Sequence, residues 1–162
     1  MEVMLERANL DDAQSLLMIQ KQAYEPSYKM YKANIDPHLE KIEEMKSKIM
    51  HTDGVYYKIM LDGKLCGGLY VFKLEEGIYK IGNIYVLSEY QSKGVCTKAV
   101  AIAESLKPDA TEWEADVPSD QQKNIGLFVK SGYKDTGRRV AINDKLTLAF
   151  YRKKVGNENP LT

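Results

Sequence analysis

The sequence predicts a single mixed α/β domain, of the α+β type, in which a mostly antiparallel sheet is flanked by helices. Three observations carry this. The hydrophobic pattern alternates along the chain between the helical period and the period of two that marks a strand. Tight-turn signals fall between the period-two stretches. The 162 residues fit one domain and suffice for a hydrophobic core without staples. Residues 1–155 are assigned to the domain, and 156–162 to a flexible tail.

Residues 3–5 read as a first short strand. Asn9 or Asp11 can cap a helix whose apolar positions Ala13, Leu16, Leu17 and 19–23 fall at helical spacing. Pro26 is expected just past the end of that helix, because proline cannot donate an interior helix bond. Residues 24–36, rich in Tyr and Lys, are expected to be irregular. Asp36-Pro37 is a good start for a second helix, with Leu39, Ile42, Met45 and Ile49 as its apolar stripe. Residues 55–61 then read as a strand, Asp62-Gly63 as a hairpin turn and 65–74 as the return strand. Gly67-Gly68 within it suggests a bulge or a close backbone approach. Glu76-Gly77 turns into a strand over 78–87, which completes an antiparallel meander. Residues 93–106 form a helix stopped by Pro108. Residues 111–117 form a strand and 121–130 a short helix, with Gly132 where a C′ glycine would sit. Residues 133–138 and 146–152 make a last antiparallel pair. The order is β-α-α-β-β-β-α-β-α-β-β, without internal repeats.

Composition narrows the function classes. Hydrophobic residues make up 44% and charged residues 28%, as in ordinary soluble domains. Lys plus Arg (23) equals Asp plus Glu (23), so no net positive charge argues for nucleic acid or an anionic membrane. The two cysteines, Cys66 and Cys96, form no Cys-x-x-Cys pair, so a zinc site has no framework, and both are expected to stay reduced. The N-terminus does not read as a signal peptide, and no apolar run approaches the ~20 residues of a membrane span. The cytoplasm is the expected location. Nucleotide-binding Gly-rich fingerprints, His-Glu-x-x-His and Gly-x-Ser-x-Gly are all missing from the sequence.

Residues 81–98, IGNIYVLSEYQSKGVCTK, place a strand, a polar loop and a helix start in succession. Such a junction aims several backbone N–H groups at one point, a ready site for phosphate. Gly94 lets the backbone come close, and Lys93 and Lys98 add local positive charge. The loop has the form Gln-x-x-Gly-x-Cys. This resembles the acetyl-coenzyme A signature of the GNAT superfamily of N-acetyltransferases, Gln/Arg-x-x-Gly-x-Gly/Ala, with Cys96 in place of the usual Gly or Ala. The element order matches that family over nearly the whole chain.

The resemblance implies a GNAT-like fold and an enzyme that moves an acetyl group from acetyl-coenzyme A to a primary amine by direct transfer. It implies cofactor contacts along the loop, from Gln91, Ser92, Lys93 and Gly94 into Val95, Cys96 and Thr97. It lays Tyr85, Val86 and Leu87 along the pantetheine arm, which pairs with the strand as an added strand would. The Val86 amide is the candidate to polarise the thioester carbonyl. Residues 116–133, DVPSDQQKNIGLFVKSGY, resemble the family's second signature and imply cofactor contacts from Asn124 and, one helical turn later, Phe128.

Many members carry Tyr at the position of Phe128, as the acid for the leaving thiolate. Phe128 has no proton to give. A thiol has an ordinary pKa of roughly 8.5, so the thiolate can leave unaided or draw a proton from water. Alternatively Tyr85 or Tyr133 stands in, or the enzyme is slow or inactive. Glu112, Glu114 and Asp116 alternate on one strand face, and Glu114 or Asp116, acting through a water, is the candidate base. In this fold the first two helices and their connection usually cover the acceptor, which implies substrate contacts from Tyr24, Glu25, Tyr28 and Tyr31, with His38 nearby. Aromatic rings beside a carboxylate suit a cationic or amphipathic amine. The same segment also reads as a tyrosine-rich loop packed on the sheet. The alternative function is a non-catalytic module of this fold that binds coenzyme A or another ligand. The sequence names neither the acceptor, small molecule or peptide, nor the oligomeric state. Homodimers are common in the family.

Overall fold

Seven strands form one sheet in the order β1-β2-β3-β4-β5-β7-β6 in the computed structural model, which describes residues 1–156. Positions 157–162, most of the expected flexible tail, lie outside the described residues. The strands are β1 (Val3–Arg7), β2 (Gly54–Leu61), β3 (Lys64–Glu75), β4 (Ile78–Val86), β5 (Glu112–Pro118), β6 (Lys134–Ala141) and β7 (Thr147–Lys154). The helices are α1 (Ala13–Tyr31), α2 (Ile42–Met50), α3 (Val95–Ser105) and α4 (Gln122–Lys130). The element order is the one expected from the sequence. All strand pairs are antiparallel except β4 with β5.

Each sheet face is buried by two helices. Val95, Ala99 and Val100 of α3 and Phe128 of α4 pack with Ile59, Leu69, Trp113 and Val117. On the opposite face Leu16 and Leu17 of α1 and Met45 and Ile49 of α2 pack with Tyr56, Tyr70 and Tyr85. The β2–β3 turn has positive φ at both Asp62 (49°) and Gly63 (82°), the primed geometry that matches strand twist.

Both features suggested by Gly67-Gly68 are present. Ile59 pairs with Gly67 and Met60 with Leu65, so Cys66 is the extra residue of a bulge. A β-carbon on Gly67 would lie 2.0 Å from the Tyr85 carbonyl oxygen, so only glycine fits beside β4. A second bulge was not read from the sequence. Tyr70 pairs with Asn83 and Val71 with Ile81, which leaves Gly82 unpaired in β4. The extra residue reverses the alternation. Tyr79 and Ile81 face the α3/α4 core before it, and Ile84 and Val86 do so after it. Asn83 and Tyr85 thereby turn toward α1 and α2.

Two expectations are corrected. Helix α1 does not stop before Pro26; it runs through it to Tyr31, so residues 24–31 are helical. An interior proline costs a helix about 3 kcal/mol, and the second half of α1 is held by its own contacts. The Tyr24 hydroxyl donates to the Ile84 carbonyl at 3.2 Å, the Tyr31 hydroxyl to Asp120 at 2.7 Å, and the Asn143 side chain to the Tyr31 carbonyl at 2.9 Å. The helix ends at Lys32, left-handed at φ 53°. Asp36-Pro37, in turn, opens only a single 3₁₀ turn, Pro37–Leu39. Glu40 is extended (φ −60°, ψ 142°) and separates that turn from α2.

On β5, Trp113, Ala115 and Val117 enter the core, so Glu112, Glu114 and Asp116 share the other face, as the alternation predicts. Burial, then the neighbouring Glu112, pushes the Glu114 carboxyl above its ordinary pKa.

Replacing Gly67 by Ala is expected to destabilise the fold by about 3 kcal/mol in urea unfolding, because the clash is with backbone. Glu114 gives the pH-dependent case. Its raised folded pKa contributes stability below the unfolded value that is lost as pH rises through the folded one. Glu114→Gln is therefore expected to melt at a higher temperature than the parent at pH 7 and at the same temperature at pH 3.

Candidate active site

The parallel pairing of β4 with β5 lasts three residues, Ile78–Lys80 against Glu112–Glu114. Beyond it the strands part, and a cleft of ≈ 1010 Å³ opens between them, walled also by α1, the 37–39 turn, α4 and the start of α3. Leu87 N–H donates to the Cys66 carbonyl of β3 at 2.9 Å. Successive strand residues direct their backbone groups to opposite sides, so Val86 and Ile84 turn theirs into the cleft. Contacts to their carbonyls agree: Gln91 Nε2 donates to Val86 O at 3.2 Å and Tyr24 to Ile84 O. The sequence reading singled out the Val86 amide and not that of Ile84.

The loop after β4 ends in Gly94, left-handed at φ 81°, directly before α3, and Ser92 is also left-handed at φ 62°. No side chain caps α3, and its first backbone bond runs from Lys98 N–H to Gly94 O at 3.1 Å. The amides of Val95, Cys96 and Thr97 thus have no acceptor within the helix. Nothing lies within 4 Å of where a Gly94 β-carbon would stand. Lys123 of α4 donates to Gln91 Oε1 at 3.1 Å, which sets a cation beside the loop. This arrangement of free amides, helix dipole and lysine suits phosphate oxygens.

Gln91, Ser92, Gly94, Cys96, Thr97, Asn124 and Phe128 line the cleft; Leu87, Lys93 and Val95 do not. Val95 is buried in the core. Burial pushes the Cys96 thiol up to about 11, so it is a neutral, small wall residue. Asn124 Nδ2 donates to Gln121 Oε1. Phe128 packs edge-on to Tyr133 at 5.2 Å.

The proton-transfer candidates are distributed unevenly. The Tyr85 hydroxyl is buried 2.6 Å from that of Tyr56, in the core beneath α1. Tyr133 is outside the cleft and donates to Glu104 at 2.7 Å. Neither hydroxyl stands free to replace a tyrosine at position 128. Asp116 lines the cleft and binds Lys80 at 2.7 Å, whereas Glu114 lies outside it.

On the α1 wall, Tyr24 and Tyr31 line the cleft and Glu25 and Tyr28 do not. Seven residues are nearly two helical turns, so positions 24 and 31 share a face, whereas 25 is turned ~100° from 24. Glu25 is exposed and pairs with Lys29 at 3.1 Å. Tyr28 stacks on His38 at 5.4 Å, and His38 Nδ1 donates to the Lys21 carbonyl at 2.7 Å. Burial and the bond to Asp120 raise the Tyr31 phenol to about 12. The structure adds a group that sequence reasoning missed: Glu40, Lys48 and Asn83 meet on this wall, with Lys48 Nζ 2.5 Å from Glu40 Oε1 and 3.4 Å from Asn83 Oδ1. No local signal announces it, since Glu40 lies in extended backbone ahead of α2 and meets Lys48 and Asn83 only in the folded chain.

Comparison with known proteins places this geometry. A 33% identity over 81 residues relates the chain to the uncharacterized protein YrkN of Bacillus subtilis strain 168, covering 49% of this chain and 44% of that protein. The chain thus aligns with less than half the length of that relative. Three solved structures share the fold. The PaiA N-acetyltransferase of Thermoplasma acidophilum, in complex with coenzyme A, superposes with a TM-score of 0.69 at 14% identity, over 96% of this chain and 100% of that one. An acetyltransferase of Thermus thermophilus gives 0.72 at 16% identity, over 96% and 98%. AAC(6')-Ib, in complex with ribostamycin and coenzyme A, gives 0.73 at 16% identity, over 95% and 94%. The family model of the GNAT acetyltransferases matches residues 13–133, from the start of α1 through the cleft-lining face of α4 to Tyr133, and the chain belongs to that family.

Proposed function

We propose that residues 1–155 form a cytoplasmic N-acetyltransferase that passes an acetyl group from acetyl-coenzyme A directly to a primary amine. One observation carries the reading: a strand edge with unpaired amides and a helix start with unpaired amides line the same cleft. The residues present fit acetyl-coenzyme A, which supplies an activated thioester when bound. The amides of Val95, Cys96 and Thr97, with Lys123 and Lys93 at the rim, hold the diphosphate. Gly94 keeps its approach open, and Ser92 shapes the turn. Gln91 braces the loop against Val86. The amides of Ile84 and Val86 take the arm as an added strand would, and the Val86 amide polarises the thioester carbonyl, with Tyr85 and Leu87 fixing the register. Asn124 and Phe128 close the opposite wall.

Tyr24 and Tyr31 flank the entering amine. Its proton passes through water to a cleft carboxylate, and Asp116 is the candidate from β5. Phe128 carries no proton, so the leaving sulfur draws one from solvent. Most of the rate gain then comes from holding two reactants in line.

Calorimetric titration with acetyl-coenzyme A tests the loop. The parent is expected to bind in the micromolar range and Gly94→Glu at least roughly 10-fold more weakly, since a side chain there meets strained φ and the phosphate space. A panel of amines with thiol release as the readout tests transfer. Release that depends on an amine supports it; binding without release for every amine would leave the non-catalytic module instead. Restoring an acid with Phe128→Tyr is expected to raise kcat, by on the order of 100-fold at most, with little change in KM for the cofactor.

A further inference from the structure

Glu40 is a buried charge that the transfer steps leave unused. Its side chain is 7% exposed, and it lines the cleft. Oε1 is bound by Lys48, but Oε2 has no hydrogen-bond partner, and it is the one buried side-chain polar atom in that state among the described residues. A buried carboxylate oxygen without a donor is costly, and folds retain one where a ligand meets it. The surroundings select the ligand's charge. Asp36 and Glu44 line the same wall, so three carboxylates stand there against the single ammonium of Lys48. The other two are already engaged: Asp36 accepts from Ser27 at 2.9 Å and from His38 N–H at 2.8 Å, and Glu44 from Lys41 N–H at 3.0 Å. Glu40 Oε2 is the acceptor left over, and the excess charge favours a cation.

Its place beside β4 sets what that cation is attached to. Through Lys48, Glu40 adjoins Asn83, one residue before Ile84 and three before Val86. At ~3.3 Å per strand residue, the site lies roughly 10 Å along the edge from the Val86 amide assigned to the thioester. Ile35 (60% exposed) and Leu39 (41% exposed) offer apolar surface at that end, where a methylene chain can lie. We propose that Glu40 Oε2 docks a second ammonium group of the acceptor, so that preferred acceptors are diamines or longer polyamino compounds rather than simple alkylamines. This rests on the acetyl-transfer reading for the fate of the first amine.

Binding decides it without turnover. Pentane-1,5-diamine and pentylamine are titrated calorimetrically into the full chain, with and without saturating coenzyme A. The diamine is expected to bind at least roughly 10-fold more tightly. Glu40→Gln, which keeps the shape, is expected to abolish that preference and leave pentylamine and coenzyme A affinities unchanged; Glu40→Asp is expected to keep part of it. Equal affinity for the two amines in the parent overturns the proposal, whatever the variants do, and so does a preference that survives in Glu40→Gln. Coenzyme A titrated into the same samples separates the two readings. If it fails to bind while the diamine preference stands and falls with Glu40, the transfer reading is lost and this site is retained. If it binds and the preference is missing, this site alone is lost.

Discussion

The site depends on β4 and β5 holding together for three residues and then letting go. An unpaired strand edge inside a protein leaves backbone groups unmet and is normally avoided. Here it is half met. Gln91 and Tyr24 donate to the carbonyls of Val86 and Ile84, and the amides on the same side are left open. The edge therefore presents donors and few acceptors. Such an edge binds a ligand rich in carbonyls, and it resists pairing with another strand, which needs both.

The parting has a structural cause and structural support. A bulge at Gly82 adds twist and bends β4 just past its last contact with β5. Lys80 and Asp116 tie the two strands at the point of divergence. Under the free segment, the Tyr56 hydroxyl meets that of Tyr85 and donates to Gln20 Oε1 at 3.1 Å. The strand is thus anchored from below by side chains where it lacks a neighbour beside it. The same demand accounts for α1 continuing through Pro26, since a helix that stopped at residue 25 would leave Tyr31 unable to reach Asp120 and the cleft without its roof.

The elements and the Gly94 loop were legible in the sequence because their signals are local. Asp62-Gly63, Gly94 and Gly132 each announce a backbone conformation within a few residues. The errors came where distant contacts outweigh local preference. Pro26 is a helix breaker by itself, and contacts from outside the helix, with Asp36, Asp120 and Asn143, hold it past that point. Gly82 looks like any strand glycine until the β3 register reveals the extra residue. Glu40 looks like a surface carboxylate ahead of a helix; an extended backbone at that one position carries it indoors. Tyr24 and Tyr31 were separable from Glu25 only once the segment was known to be helical, and Tyr28, one turn from Tyr24, is drawn aside by its stack on His38.

Phenylalanine at position 128 is less damaging to transfer than the loss of a proton donor suggests. The proposed reaction moves one proton off the amine and one onto a thiolate whose ordinary pKa, roughly 8.5, is close to neutrality. Protonation of such a leaving group is not needed to expel it, unlike that of an amine or an alkoxide. What water cannot supply in the proposed reaction is a fixed amide at the carbonyl and an acceptor held in line with it. Phe128, 3% exposed and packed on Tyr133, contributes to that rigidity. Under the proposed function the positioning elements are present and one proton donor is missing, so the loss falls on the step that solvent can best replace.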